Sequence, residues 1–148
     1  MRYRALVLRQ TGLDPCLTEL ELRSSLNRNQ VLVKILNTGI CGKQLEEING
    51  ANGLDVYIPH CLGHEGAGLI IDVGKDVKNV TPGDSVVLHW ITEFDCGQHV
   101  TPLIYDLERK EYVNCGPITT FSEYSVVSCN RVTKIDSDVS SEIASLLG

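Results

Sequence analysis

The sequence has no apolar run near the roughly 18 residues that a bilayer-crossing helix needs, so no membrane-spanning segment is expected. It lacks an excess of basic residues. Thirteen Lys and Arg stand against 19 Asp and Glu, for a net charge of −6, which leaves no basic patch to neutralise nucleic-acid phosphates. It also lacks a small-residue cleavage site after the short Ala5-Leu6-Val7-Leu8 run, so no signal peptide is expected and the cytoplasm is the expected compartment. There is no C-x-x-C pair, no internal repeat and no G-x-G-x-x-G dinucleotide fingerprint. The glycines from Gly63 to Gly68 have the wrong spacing and no helical pattern after them. The six cysteines (Cys16, Cys41, Cys61, Cys96, Cys115 and Cys129) show no regular spacing and, without a secretory signal, are expected to be reduced thiols.

What is present is one domain's length of ordinary globular composition, 148 residues with 43% apolar and 22% charged. Val, Ile, Thr and Gly dominate many stretches and favour β structure. Strands are predicted over Tyr3–Arg9, Leu17–Leu22, Val31–Leu36, Gly66–Val73, Ser85–Leu88, Phe121–Val127 and Arg131–Ile135, with a hairpin of 104–107 and 111–114 around Glu108-Arg109-Lys110. Residues Lys43–Ile48 read as a short helix ended by Asn49-Gly50. Asn52-Gly53 and Pro82-Gly83-Asp84 read as turns. Many short strands punctuated by Gly and Pro predict a barrel or sandwich. Near the end, Ser140 caps a predicted helix whose apolar stripe is Ile143, Leu146 and Leu147. A helix that short needs packing. It either docks on its own domain or, the reading favoured here, marks a domain boundary where the stripe meets a further domain.

The chemistry is concentrated in Pro59-His60-Cys61-Leu62-Gly63-His64-Glu65-Gly66-Ala67-Gly68 and in Gly39-Ile40-Cys41-Gly42 upstream. Thiolate, imidazole and carboxylate are the donor types of zinc, and a catalytic zinc keeps three protein ligands and an open position. On the residues alone this is one of two readings. A histidine on a glycine-rich loop is also satisfied by a backbone carbonyl.

The ordered set Val31-Leu32-Val33-Lys34, Thr38-Gly39-Ile40-Cys41-Gly42, Leu62 to Gly68, Val73-Gly74, Pro82-Gly83-Asp84-Ser85-Val86-Val87, Thr120-Phe121-Ser122-Glu123-Tyr124 and Ser145-Leu146-Leu147-Gly148 resembles the zinc-dependent medium-chain dehydrogenases over nearly the whole chain. The resemblance implies that residues 1–148 form that family's N-terminal catalytic domain. Its fold would be mainly β, a GroES-like, partly open β-barrel with a few short helices. A Rossmann domain binding NAD or NADP would follow after Gly148. Cys41 and His64 would be catalytic zinc ligands, and Glu65 the adjacent carboxylate that approaches or joins the ion. The remaining ligand, commonly Cys, would lie just beyond the Leu-Leu-Gly ending. Zinc as a Lewis acid would polarise a small-molecule alcohol or carbonyl for hydride exchange with the nicotinamide.

Several positions depart from the family pattern. Where relatives carry Ser or Thr and then Asp, this chain has Lys43 and Gln44. Lys43 is therefore the candidate proton relay, with a solvent-facing lysine as the alternative. Gln44 keeps hydrogen-bonding capacity but loses charge. With only Cys96 and Cys115 between Ile91 and Ile118, no structural zinc lobe is expected; the predicted hairpin takes its place, and His99 beside Cys96 is incidental. Trp90 matches the aromatic wall of the substrate pocket, with a packed core or interface aromatic as the alternative. His89 is expected to make a structural hydrogen bond. Cys61, part of a competing C-x-x-H pair, is expected to act as a small hydrophobe. Three functions are weighed: a zinc-dependent NAD(P) alcohol or polyol dehydrogenase, homo-oligomeric at full length and without turnover as this domain alone; a zinc-less quinone or enone reductase; and a stand-alone GroES-like binding module.

Overall fold

The computed structural model describes residues 1–51 and 53–148. In chain order its elements begin with β1 (Arg2–Leu8), β2 (Cys16–Leu22), β3 (Gln30–Thr38), α1 (Gly42–Asn49), β4 (His60–Cys61) and β5 (Gly66–Val73). They continue with β6 (Ser85–Leu88), β7 (Ile104–Asp106), β8 (Glu111–Val113), β9 (Tyr124–Ser128), β10 (Val132–Lys134) and α2 (Ser141–Ala144). The strands form two five-stranded antiparallel sheets, in the orders β4-β1-β2-β7-β8 and β10-β6-β5-β3-β9. The architecture is mainly β, two curled half-barrels with two short α-helices among the described residues, as the resemblance implies. No helix is long and apolar enough to cross a membrane.

Period-two alternation builds the first sheet. In β1, Tyr3, Ala5 and Val7 point inward while Arg2 and Arg4 point out, and Tyr3 faces Leu20 across the ladder. These side chains pack with Cys61, Ile104 and Val113 in one core. The sheet curls until its ends meet, with Cys61 N–H donating to the Asn114 carbonyl and Asn114 N–H to that of Pro59, both at 2.9 Å. The second sheet buries Val31, Val33, Ile70, Val86, Leu88, Val127 and Val132 around its own core.

The strands expected at Gly66–Val73 and Ser85–Leu88 occupy those residues, and the predicted hairpin is present as β7 and β8. Three differences have physical causes. Strand β9 begins at Tyr124 rather than Phe121, because 121–123 bond to β1 of the other sheet: Leu6 N–H donates to Phe121 O at 2.8 Å and Glu123 N–H to Arg4 O at 2.9 Å. Strand β4 was not expected; two residues carry no periodicity, and pairing with Val7 and Leu8 makes it a strand. In α2, Ser140 Oγ accepts from Ile143 N–H at 3.3 Å as predicted, but the packed residues are Ala144 and Ser145. The stripe of Ile143, Leu146 and Leu147 stays about two-thirds exposed. Asn52, half of the predicted Asn52-Gly53 turn, lies outside the described residues.

Candidate metal centre

The antiparallel register of β3 and β5 sets Thr38 opposite Gly66. Cys41 follows shortly after the first and His64 shortly precedes the second, so both emerge at the same end of the sheet. A bulge in β3 between Ile35 and Asn37 bends the strand just before this end. The loop carrying His64 is anchored at Gly63, whose φ of +90° favours glycine and whose missing Cβ would sit 2.5 Å from Thr120 Oγ1. Gly63 N–H donates to Oε1 of the buried Gln44 at 2.8 Å. The carbonyl of Glu65 accepts from Gly39 N–H at 3.2 Å, and the Thr38 and Thr120 hydroxyls lie 2.9 and 3.0 Å from it.

Cys41 is the extended N-cap residue of α1, and its side chain makes no capping hydrogen bond. Its Sγ lies 3.0 Å from His64 Nε2. The carboxylate of Glu65 folds over Gly39, where a Cβ would come within 2.6 Å of Glu65 Cδ. Donor atoms of Cys41, His64 and Glu65, all half-buried, lie within 4.8 Å of one another. That is the scale expected of ligands each about 2.0–2.3 Å from a shared zinc ion, and thiolate, imidazole and carboxylate are zinc donors. The residues present fit the metal.

A cavity of about 920 Å³ opens beside these groups, lined by His64, Lys43, Gln44, Tyr57, Trp90 and Ile118 among others. Trp90 is 56% exposed, which removes the packed-core alternative for it. Its ring meets that of His64 edge-on at 6.3 Å between centroids, and the Arg131 guanidinium lies 5.6 Å from its centre. Lys43 lines the rim, with Nζ 3.1 Å from Glu46 Oε2. The glycine Gly148 rests against the Leu88 carbonyl and Glu65, so the chain leaves α2 toward the same groups.

Among the described residues, the other cysteines and histidines do not join the Cys41 group. His89 bridges the Ile91 carbonyl and Thr133 Oγ1. Cys61 is core, and burial pushes its thiol far up from the usual range. Burial likewise pushes Cys115 up to about 12, and Cys129 up to about 11 with Cys96 beside it. His99 Nδ1 lies 3.2 Å from Ser128 Oγ, and burial lowers its pKa. Neither Cys96 nor Cys115 joins a group of metal-type donors among the described residues. Sequence reasoning missed the anchoring by Gln44, Thr38 and Thr120. Both threonines stand inside the quoted motifs, but only the fold brings their hydroxyls to Glu65.

The family model of the alcohol dehydrogenase GroES-like domain matches residues 27–137. An S-(hydroxymethyl)glutathione dehydrogenase of Photobacterium damsela subsp. piscicida is 31% identical, over 100% of this chain and 46% of the relative. Benzyl alcohol dehydrogenase from Acinetobacter calcoaceticus superposes with a TM-score of 0.80 at 28% identity, covering 100% of this chain and 45% of that one. An alcohol dehydrogenase zinc-binding domain protein from Burkholderia ambifaria shares the fold with a TM-score of 0.84 at 23% identity, covering 100% of this chain and 45% of that one. The chain thus spans about half the length of the relatives it matches. A matched segment that takes in both Cys41 and His64, together with these likenesses, places the chain in the alcohol dehydrogenase GroES-like domain family.

Proposed function

We propose that the chain is the zinc-carrying catalytic domain of an NAD(P)-dependent alcohol dehydrogenase-type oxidoreductase acting on small alcohols or carbonyls, with Cys41, His64 and Glu65 as the zinc donors. The observation that carries this reading is the 3.0 Å approach of Cys41 Sγ to His64 Nε2 with the Glu65 carboxylate alongside. When bound, zinc supplies Lewis-acid polarisation of the substrate oxygen. The chain's own residues do the rest. Gln44 and Gly63 hold the His64 loop, while Thr38 and Thr120 hold Glu65 at its backbone. Trp90 forms an apolar wall beside His64, against which the carbon skeleton of a substrate packs and from which water is displaced. Lys43, in the position of the usual relay hydroxyl, exchanges the alcohol proton at Nζ with solvent after leaving Glu46.

The nicotinamide is expected from a nucleotide-binding domain after Gly148, and the domain alone is expected to show no turnover. The exposed apolar stripe of Ile143, Leu146 and Leu147 supports this as a surface for such a domain, and Gly148 lies beside Glu65. The zinc-less reductase reading is disfavoured by the convergence of thiol, imidazole and carboxylate. The test is metal analysis and alcohol-oxidation assays on the intact protein. About one zinc per subunit is expected at this site, lost with activity in Cys41→Ala. Full activity without bound metal overturns the proposal.

A further inference from the structure

A second set of donors lines the same cavity and takes no part in the function above. Glu47 in α1, Asp55 in the connection after it and His60 in β4 bring three ligand-type atoms within 4.8 Å of one another. His60 is 7% exposed. Its Nδ1 lies 3.0 Å from the Cys61 carbonyl, which only accepts, so Nδ1 carries the hydrogen. Its Nε2 is paired with Asp55 Oδ2 at 2.7 Å and lies 3.8 Å from Glu47 Oε1.

Each partner's other atom is already held. Asp55 Oδ1 accepts from Tyr57 N–H at 2.8 Å, and Glu47 Oε2 accepts from the Gln44 side-chain amide. The three remaining ligand atoms thus lie within 4.8 Å of one another, each on a group held by a hydrogen bond behind it, as metal ligands are. Glu47 and Asp55 bring two carboxylate charges to this one imidazole. A dication balances both.

We propose that Glu47, Asp55 and His60 form a second divalent-cation site, distinct from Cys41, His64 and Glu65. Two carboxylates and one imidazole suit a first-row ion of intermediate hardness, zinc or manganese, completed by water. Bound there, the ion ties the α1–β4 connection to α1. Through Gln44 it also braces Gly63, the residue before His64.

The test is a cobalt(II) titration of the metal-stripped intact protein, followed by dialysis and optical spectroscopy. The Cys41 site gives a thiolate-to-cobalt charge-transfer band, and an oxygen and nitrogen site gives none. The expected result is a second retained equivalent without that band. It should weaken at least about tenfold in Asp55→Asn and in Glu47→Gln, while the charge-transfer band persists. Both variants keep side-chain size, and circular dichroism shows which is folded. Absence of a second equivalent in the unsubstituted protein, or its undiminished retention in the folded variants, overturns the proposal. Loss of the charge-transfer band alone strikes the Cys41 centre and leaves this one standing.

Discussion

Two of the places that gather charged or ligand-type groups out of full solvent are built in opposite ways. At the β7–β8 hairpin the fully buried Asp106 has every acceptor filled. Its Oδ1 takes the N–H groups of Glu108 and Arg109 at 2.9 Å, and its Oδ2 takes the Arg9 guanidinium, which also reaches Glu111 at 2.6 Å. At the Cys41 centre, sulfur, imidazole and carboxylate donors lie within 4.8 Å of one another. Satisfied charge is the mark of a structural brace, whereas convergent donors left facing one another mark a place for a ligand.

The strongest way to break this comparison is Asp106→Ala. It removes a fully buried carboxylate, leaves the half-buried Arg9 with Glu111 alone, and should cost about 3–5 kcal/mol in urea unfolding, with zinc stoichiometry of the folded protein unchanged. If zinc is lost at equal foldedness, the two places are not independent. Gly39→Ala probes the other side. The atoms nearest its new methyl belong to the Glu65 side chain, which can swing away, so stability should change by less than about 1 kcal/mol. Zinc affinity should fall about tenfold because the carboxylate is displaced. Ser140→Ala should cost about 1 kcal/mol by removing the α2 cap, measured by thermal unfolding, and leave both places intact.

The smallest effect is a pH dependence. The Lys134 ammonium, with the Thr81 backbone N–H, holds the Asp84 carboxyl below its ordinary range. A lowered folded-state pKa gives stability that is present above the unfolded value and lost as pH falls through the folded one. Unfolding curves taken from neutral pH to about pH 3 should therefore decline less steeply for Asp84→Asn than for the unsubstituted chain.

Much of the framework was legible. Alternation located β1, and the Gly and Pro punctuation located β5 and β6, because these strands bury one face and turn at residues with special backbone preferences. The Ser140 cap was legible for the same local reason. Strand β4, the switch of 121–123 to the other sheet and the burial of Ala144 in place of the Ile143 stripe were not, since each depends on a partner far along the chain. For the site, the residue types at Cys41, His64 and Glu65 were readable from their motifs. The role of Gln44 was half readable: its lost charge was evident, and its bond to Gly63 was not.

The sequence by itself determined the β-rich class and the turns, because periodicity and turn chemistry are properties of neighbouring residues; Cys41, His64 and Glu65 it offered as donors only through the family resemblance. Only the tertiary structure decided that Cys41 and His64 meet, since the β3–β5 register places Thr38 beside Gly66. It alone also gathered Glu47, Asp55 and His60, which share no motif, because packing α1 against the connection to β4 is what turns three scattered side chains toward one point.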